Sequence, residues 1–124
     1  MQKVYHSLRI FVGVVYAIAG INGFFLLLGW EPFLPKSPEA VSLLGTGYLL
    51  AMEKSAELLG GILLLSGRYV PLGLVFLFPL TLNIVAFHLF VDQNLLIPVL
   101  AMGVAHLYLI YVKRNNYTAL LAKF

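Results

Sequence analysis

The sequence predicts an all-α integral membrane protein, a four-transmembrane-helix bundle with N and C termini cytoplasmic. Three observations predict it. Apolar residues make up 61 % of the 124 and charged residues 10 %, whereas soluble domains average roughly 45–50 % and about 25 %. The chain therefore lacks the polar residues needed to cover a water-facing surface, and its mean hydropathy is +0.96. The apolar residues also gather into four runs of the length needed, at about 1.5 Å per residue, to cross a hydrocarbon layer roughly 30 Å thick. Backbone groups in lipid must be satisfied within a helix or a closed barrel, and these runs exceed barrel strands of about ten residues. The whole chain, residues 1–124, reads as one such domain.

The first run extends from Val4 to Leu28 and is interrupted only by His6, Ser7, Arg9 and Asn22. Gly13, Ala17 and Gly20 recur in it at spacings of four and three, a small-residue stripe suited to close helix packing, with Arg9 and Tyr16 beside it. Ala17-Ile18-Ala19-Gly20 also has the small-x-small pattern of a signal-peptidase site, and cleavage there would leave three spans. Against that, the run continues to Leu28 without the polar flank of a mature N-terminus. The following loop carries Trp30, Pro32, Pro35 and Pro38 and suits an irregular interfacial segment. Ser37-Pro38-Glu39 reads as a helix N-cap, a first-turn proline and an acid at the positive helix end, so the second helix begins outside the membrane. Its span runs from Leu43 to Leu65, the third from Val70 to Val91 and the fourth from Leu95 to Val112. The short connections at 66–69 and 92–94 force antiparallel neighbours. Pro79 and Pro98 lie inside the last two runs, where each is expected to free a backbone carbonyl.

Orientation follows from lysine and arginine. Both termini and the 66–69 turn share one side, with Lys3, Arg9, Arg68, Lys113, Arg114 and Lys123. The opposite loops hold Lys36 as their one base, with Glu31, Glu39 and Asp92. The positive-inside rule places the termini in the cytoplasm, and it accounts for the net charge of +3 without nucleic acid. The chain has no cysteine, and its histidines are dispersed, so no metal site is expected.

The chemistry concentrates in the second helix, where Glu53, Lys54 and Glu57 interrupt a Leu-rich span. A charged residue costs roughly 2.5–3.5 kcal/mol at a helix centre and a Leu or Ile returns about 0.3–0.6. Three charges thus cost about 8 kcal/mol, against about 5 returned by the Leu and Ile of the span. The charges must be neutralised, paired or turned to a polar interior. Glu53 and Glu57 lie about 40° apart on the helical wheel; Lys54 is placed to meet Glu57, leaving Glu53 in need of another partner. Gly60 and Gly61 continue this face, where a neighbouring helix or a flat ligand can approach. Depth matching sets Asn83 near Glu53 and His106 near Glu57, with Asn22 and His88 toward the outer face and Arg9 toward the cytoplasm. A His beside a carboxyl can relay protons or bind a ligand carbonyl, and can equally serve as an interhelical hydrogen bonder.

Arg9-Ile-Phe-Val-Gly13, Tyr16, Ala19-Gly20, then Glu57-Leu-Leu-Gly-Gly61, Ile62-Leu63-Leu64 and Gly67-Arg68 resemble the two motifs of the DoxX-like family of small four-helix bacterial membrane proteins. The resemblance spans nearly the whole chain. It marks Arg9, Gly13, Gly20, Glu57, Gly60, Gly61 and His88. It also implies a redox-associated accessory role with a bound quinone and a partner redox subunit, and no catalysis by the chain alone. Where the family pattern has a helix-one lysine this chain has Gly23, so either Lys54 replaces that charge or the ligand preference differs. Three functions are thus expected to compete: binding of a quinone or similar lipophilic molecule near Glu57; proton-coupled transport of lipophilic compounds; and a scaffold or assembly factor, as a homo-oligomer or with a partner, whose buried charges only specify packing.

Overall fold

In the computed structural model, which describes residues 2–34 and 37–120, every regular element is helical. The elements are α1 (Gln2–Leu27), α2 (Pro38–Leu44), α3 (Tyr48–Ser66), α4 (Val70–Phe90) and α5 (Leu96–Val112), followed by a 3₁₀ turn at Arg114–Tyr117. Pro35, Lys36 and Lys123, which entered the loop and orientation arguments, lie outside the described residues. Among the described helices, α1 and α4 are long and apolar enough to cross a membrane by length and composition. The other two expected spans fall short for identifiable reasons: α3 carries Glu53, Lys54 and Glu57, and α5 has 17 residues.

Local chemistry sets the boundaries. Gly29, at φ +79°, ends α1: its amide donates to the Leu26 carbonyl and the Trp30 amide to that of Phe25, a left-handed glycine cap. Ser37 caps α2 as its sequence indicates, its hydroxyl accepting from the Ala40 amide at 3.2 Å with Pro38 in the first turn. The expected single run from Leu43 to Leu65 is corrected to two helices. The Gly45 amide closes α2 on the Val41 carbonyl with φ +71°, and α3 starts at Tyr48. Apolar composition alone does not register this break, because two glycines in three residues interrupt the backbone without interrupting hydropathy. Pro98 is the second correction. It is the third residue of α5, where no intrahelical donor is required, so it frees no carbonyl.

The four long helices close a ring: α1 packs on α3, α3 on α4, α4 on α5 and α5 back on α1. Val12, Tyr16, Leu64, Val70, Leu74, Leu77, Met102, Ala105 and Leu109 fill its centre. The α1–α3 contact is nearly backbone on backbone. A Cβ at Gly61 would lie 2.8 Å from the Ala17 nitrogen and 2.9 Å from the Gly13 oxygen, and one at Gly20 would lie 3.0 Å from the Leu58 nitrogen. The small-residue stripe of helix one is thus a packing face. Gly60 points instead to α4 and seats the Leu77 side chain. Both glycines expected to leave room for a helix or a flat ligand are therefore occupied by neighbouring helices. Outside the ring, large apolar side chains such as Ile18, Met52, Leu82 and Val104 are exposed.

Replacing Gly61 with Leu would drive α1 from α3 and is expected to cost about 2–3 kcal/mol. At Gly103 the nearest obstacle to a Cβ is a Val85 methyl at 3.1 Å, which can yield, so Gly103→Ala is expected within about 0.5 kcal/mol of the parent. Denaturant titration of both variants in detergent checks the pair.

Candidate functional site

Beyond the glycine contacts, which join residues 60–64 of α3 to 73–77 of α4, a cavity of about 250 Å³ opens between the helices. Its walls follow from helical spacing. Val15, Tyr16 and Ala19 line one face of α1, Glu53, Lys54 and Glu57 one face of α3, and Asn83, Ile84, Phe87 and His88 one face of α4. Val99 and Met102 of α5 complete the ring wall, and Ser37, Ala40, Leu43 and Leu44 of α2 cover one end.

Lys54 lies between both carboxylates, its Nζ 2.9 Å from Glu57 Oε2 and 3.4 Å from Glu53 Oε1. The expectation that Glu53 lacks this partner is therefore corrected: one ammonium is shared by two acids. Glu57 is 2 % exposed, and the lysine meets its Oε2 at ion-pair distance but off the axis of a directed hydrogen bond, so that oxygen has no well-aimed donor. The lysine stem lies across Gly23, where any Cβ would overlap its methylenes. The absent side chain on α1 thus makes room for a cation from α3.

A second polar group backs the cavity. The Tyr16 hydroxyl lies 2.5 Å from Thr81 Oγ1, which lies 2.7 Å from His106 Nδ1, and His106 Nε2 lies 2.8 Å from the Leu74 carbonyl oxygen. That carbonyl can only accept, so the N–H of a neutral imidazole sits on Nε2. Nδ1 then accepts from Thr81, and Thr81 accepts from Tyr16. All three side chains are buried. His106 does not line the main cavity beside Glu57 as depth matching suggested; it stands behind Thr81, facing a separate apolar recess with Phe78 and Leu107. The carbonyl it uses is that of Leu74, one residue before the Val75 carbonyl that Pro79 leaves without its helical donor.

His88 and Asn83 both reach the main cavity, with Asn83 at its exposed rim. His88 Nδ1 donates to the Ile84 carbonyl at 2.8 Å. Arg9 and Asn22 stand apart. Arg9 caps the end of α3, donating to the Leu64 and Leu65 carbonyls, and its other terminal nitrogen lies 3.4 Å from His6 Nδ1. Asn22 Oδ1 accepts the Phe33 and Leu34 amides at 2.9 and 3.0 Å and so folds the α1–α2 loop. It also lines a smaller recess on the far side of Lys54. Sequence reasoning missed Thr81 and the covering role of α2. A lone threonine in an apolar run carries little signal, and the amphipathic spacing of residues 37, 40 and 44 was the available clue to α2.

The cover is held by its first residue. Ser37 Oγ donates to Asp92 Oδ2 at 2.8 Å, joining α2 to the α4–α5 turn, with Glu39 Oε2 3.2 Å away. The Asn94 amide and then the Ser37 hydroxyl hold the Asp92 carboxyl below the usual aspartate range. At the opposite end, the Tyr117 hydroxyl donates to the Pro71 carbonyl at 2.7 Å, and burial pushes this phenol up to about 12, so it stays a donor throughout the neutral range.

Thr81→Val removes the centre of the buried chain and is expected to cost about 1–3 kcal/mol, read by denaturant titration, because Tyr16 and His106 both lose a partner. For Asp92 the shift is downward, so the tether is intact above the ordinary aspartate range and is lost only as pH falls through the depressed value. Protection factors of the Ala40 and Val41 amides are expected to hold constant from neutral pH to that range, then drop. Asp92→Asn brings the drop to neutral pH.

No family model, curated protein or solved structure matches this chain, so the DoxX-like resemblance rests on the motif residues themselves.

Proposed function

We propose that the chain is a polytopic membrane protein whose spans are α1, α3, α4 and α5. In this reading the basic ends face the cytoplasm, and the cavity beside Glu57 receives a small lipophilic molecule with a polar head. One observation carries the reading: a cavity with largely apolar walls in which Glu53, Lys54, Glu57, Tyr16 and His88 converge, the make-up of a small-molecule site. Supporting the membrane assignment are the apolar exteriors of the ring helices and the placement of the acids at 39 and 92 opposite the bases at 68, 113 and 114. A protein confined to water would leave far too much contiguous apolar surface exposed.

The chain has no redox-active side chain beyond its aromatics, and its role is that of an accessory that holds a guest for a partner subunit. A quinone is the guest supplied by the DoxX-like resemblance, and the lysine stem seated on Gly23 agrees with Lys54 taking over the helix-one cation of that pattern. A scaffold role accounts for the ion pairs but not for open space beside them. Transport coupled to protons draws on a different feature, the two acids sharing one base, since a surplus carboxylate can hold either a proton or a guest.

Ala19 lines the cavity, so Ala19→Phe is expected to fill it while leaving the α1–α3 glycine contacts intact. A decyl-substituted benzoquinone titrated into protein in lipid nanodiscs is expected to bind saturably, and Ala19→Phe is expected to weaken it about tenfold or more. Equal binding by both proteins moves the guest elsewhere. For topology, single cysteines at Asn115 and Glu31 in the cysteine-free chain are expected to react with an impermeant thiol reagent from opposite sides of sealed vesicles; labelling from the same side overturns the four-span arrangement.

A further inference from the structure

Resting on the reading that this cavity holds a small lipophile, we infer that the guest's head group is a positively charged hydrogen-bond donor, an amphiphilic amine in its ammonium form. Two independent features of the walls lead there, one of charge and one of hydrogen-bond polarity.

The first is the charge count. The titratable side chains lining the cavity are Tyr16 from α1, Glu53, Lys54 and Glu57 from α3 and His88 from α4; Val99 and Met102 of α5 contribute none. Lys54 is the one lysine or arginine among the described lining residues, and it is already shared between two carboxylates at 2.9 and 3.4 Å. A surplus carboxylate in a low-dielectric space must take up a proton or pair with a cation, and an ammonium guest is such a cation. The rim repeats the sign. Ser37, at the covered end, touches both Asp92 and Glu39, so an approaching cation meets acids before it meets Glu53 and Glu57.

The second feature is the direction of the hydrogen bonds. Because the Leu74 carbonyl fixes the proton on His106 Nε2, the Thr81 hydrogen goes to Nδ1 and the Tyr16 hydrogen goes to Thr81. Tyr16 is thereby left with lone pairs alone to offer the cavity. His88, its Nδ1 hydrogen spent on the Ile84 carbonyl, turns Nε2 to the remaining contacts of its ring. Glu57, its Oε2 covered and 2.9 Å from the lysine, adds a carboxylate to the same wall. Against these stand the ammonium of Lys54, drawn to its two acids, and the amide of Asn83 at the rim. A carbonyl guest such as a quinone brings only further acceptors, whereas an ammonium brings three donors and the missing charge.

The test compares three probes sharing one tail length: decylamine, decanol and a decyl-substituted benzoquinone. Each is titrated calorimetrically into wild-type protein in zwitterionic nanodiscs, with empty nanodiscs subtracted. Decylamine is expected to bind about tenfold or more tighter than decanol, and tighter than the quinone. Glu57→Gln is expected to remove most of that preference and Glu53→Gln to reduce it. Decanol or the quinone binding as tightly as the amine overturns the ammonium assignment and leaves the cavity reading standing. An amine preference unchanged in both glutamine variants also overturns it, because the amine then sits elsewhere. If none of the three probes binds, the cavity reading fails and takes this inference with it. The wild-type comparison decides the matter even where a glutamine variant does not fold.

Discussion

Two carboxylates and a lysine on a single Leu-rich helix impose the condition that organises this bundle. In the proposed bilayer setting such a helix cannot present Glu53, Lys54 and Glu57 to hydrocarbon; α3 turns that face inward, where Lys54 meets both acids within 3.4 Å. The rotation of α3 then fixes its remaining contacts. Gly61, on the flank toward α1, meets the backbone of Ala17, and Gly60, on the flank toward α4, receives Leu77. In that setting there is little hydrophobic drive between helices, so van der Waals contact of this closeness and hydrogen bonds would supply the cohesion.

The hydrogen bonds are correspondingly few and placed with direction. Tyr16, Thr81 and His106 link α1, α4 and α5 through one continuous chain that ends on the Leu74 carbonyl. The chain ties together helices that face each other across the ring, and it also gives the cavity wall a polarity, because a terminal acceptor determines the orientation of every donor before it. In the proposed reading, structural cohesion and ligand preference come from the same atoms. That is why the ion pairs of α3 are insufficient by themselves to choose between packing and binding, while the open space beside them and the direction of the tyrosine bond favour binding.

The covering helix α2 has a different character. It buries no residue completely, starts at a serine held by Asp92 and ends at Gly45 in a conformation that favours glycine. Its attachment is polar and sits at the acidic end of the ring, so this short element beside the cavity is held by contacts separate from those of the core.

Helix locations, the serine cap of α2, the small-residue stripe of α1 and the shared inward face of Glu53, Lys54 and Glu57 were all legible in the sequence, because each depends on local periodicity or on the local cost of a charge in an apolar run. The break at Gly45–Gly47 was not, since hydropathy averages over it. Nor were the assignments of Arg9 and Asn22 to capping and loop folding, the sharing of Lys54 by both acids, or the withdrawal of His106 behind Thr81. Those depend on which side chains from segments up to 65 residues apart arrive at one place with complementary donors and acceptors. That the polar residues of α3 face inward follows from composition and spacing alone. What they meet there follows from packing, because hydrogen-bond direction and empty volume belong to the arrangement of several helices and to no single one of them.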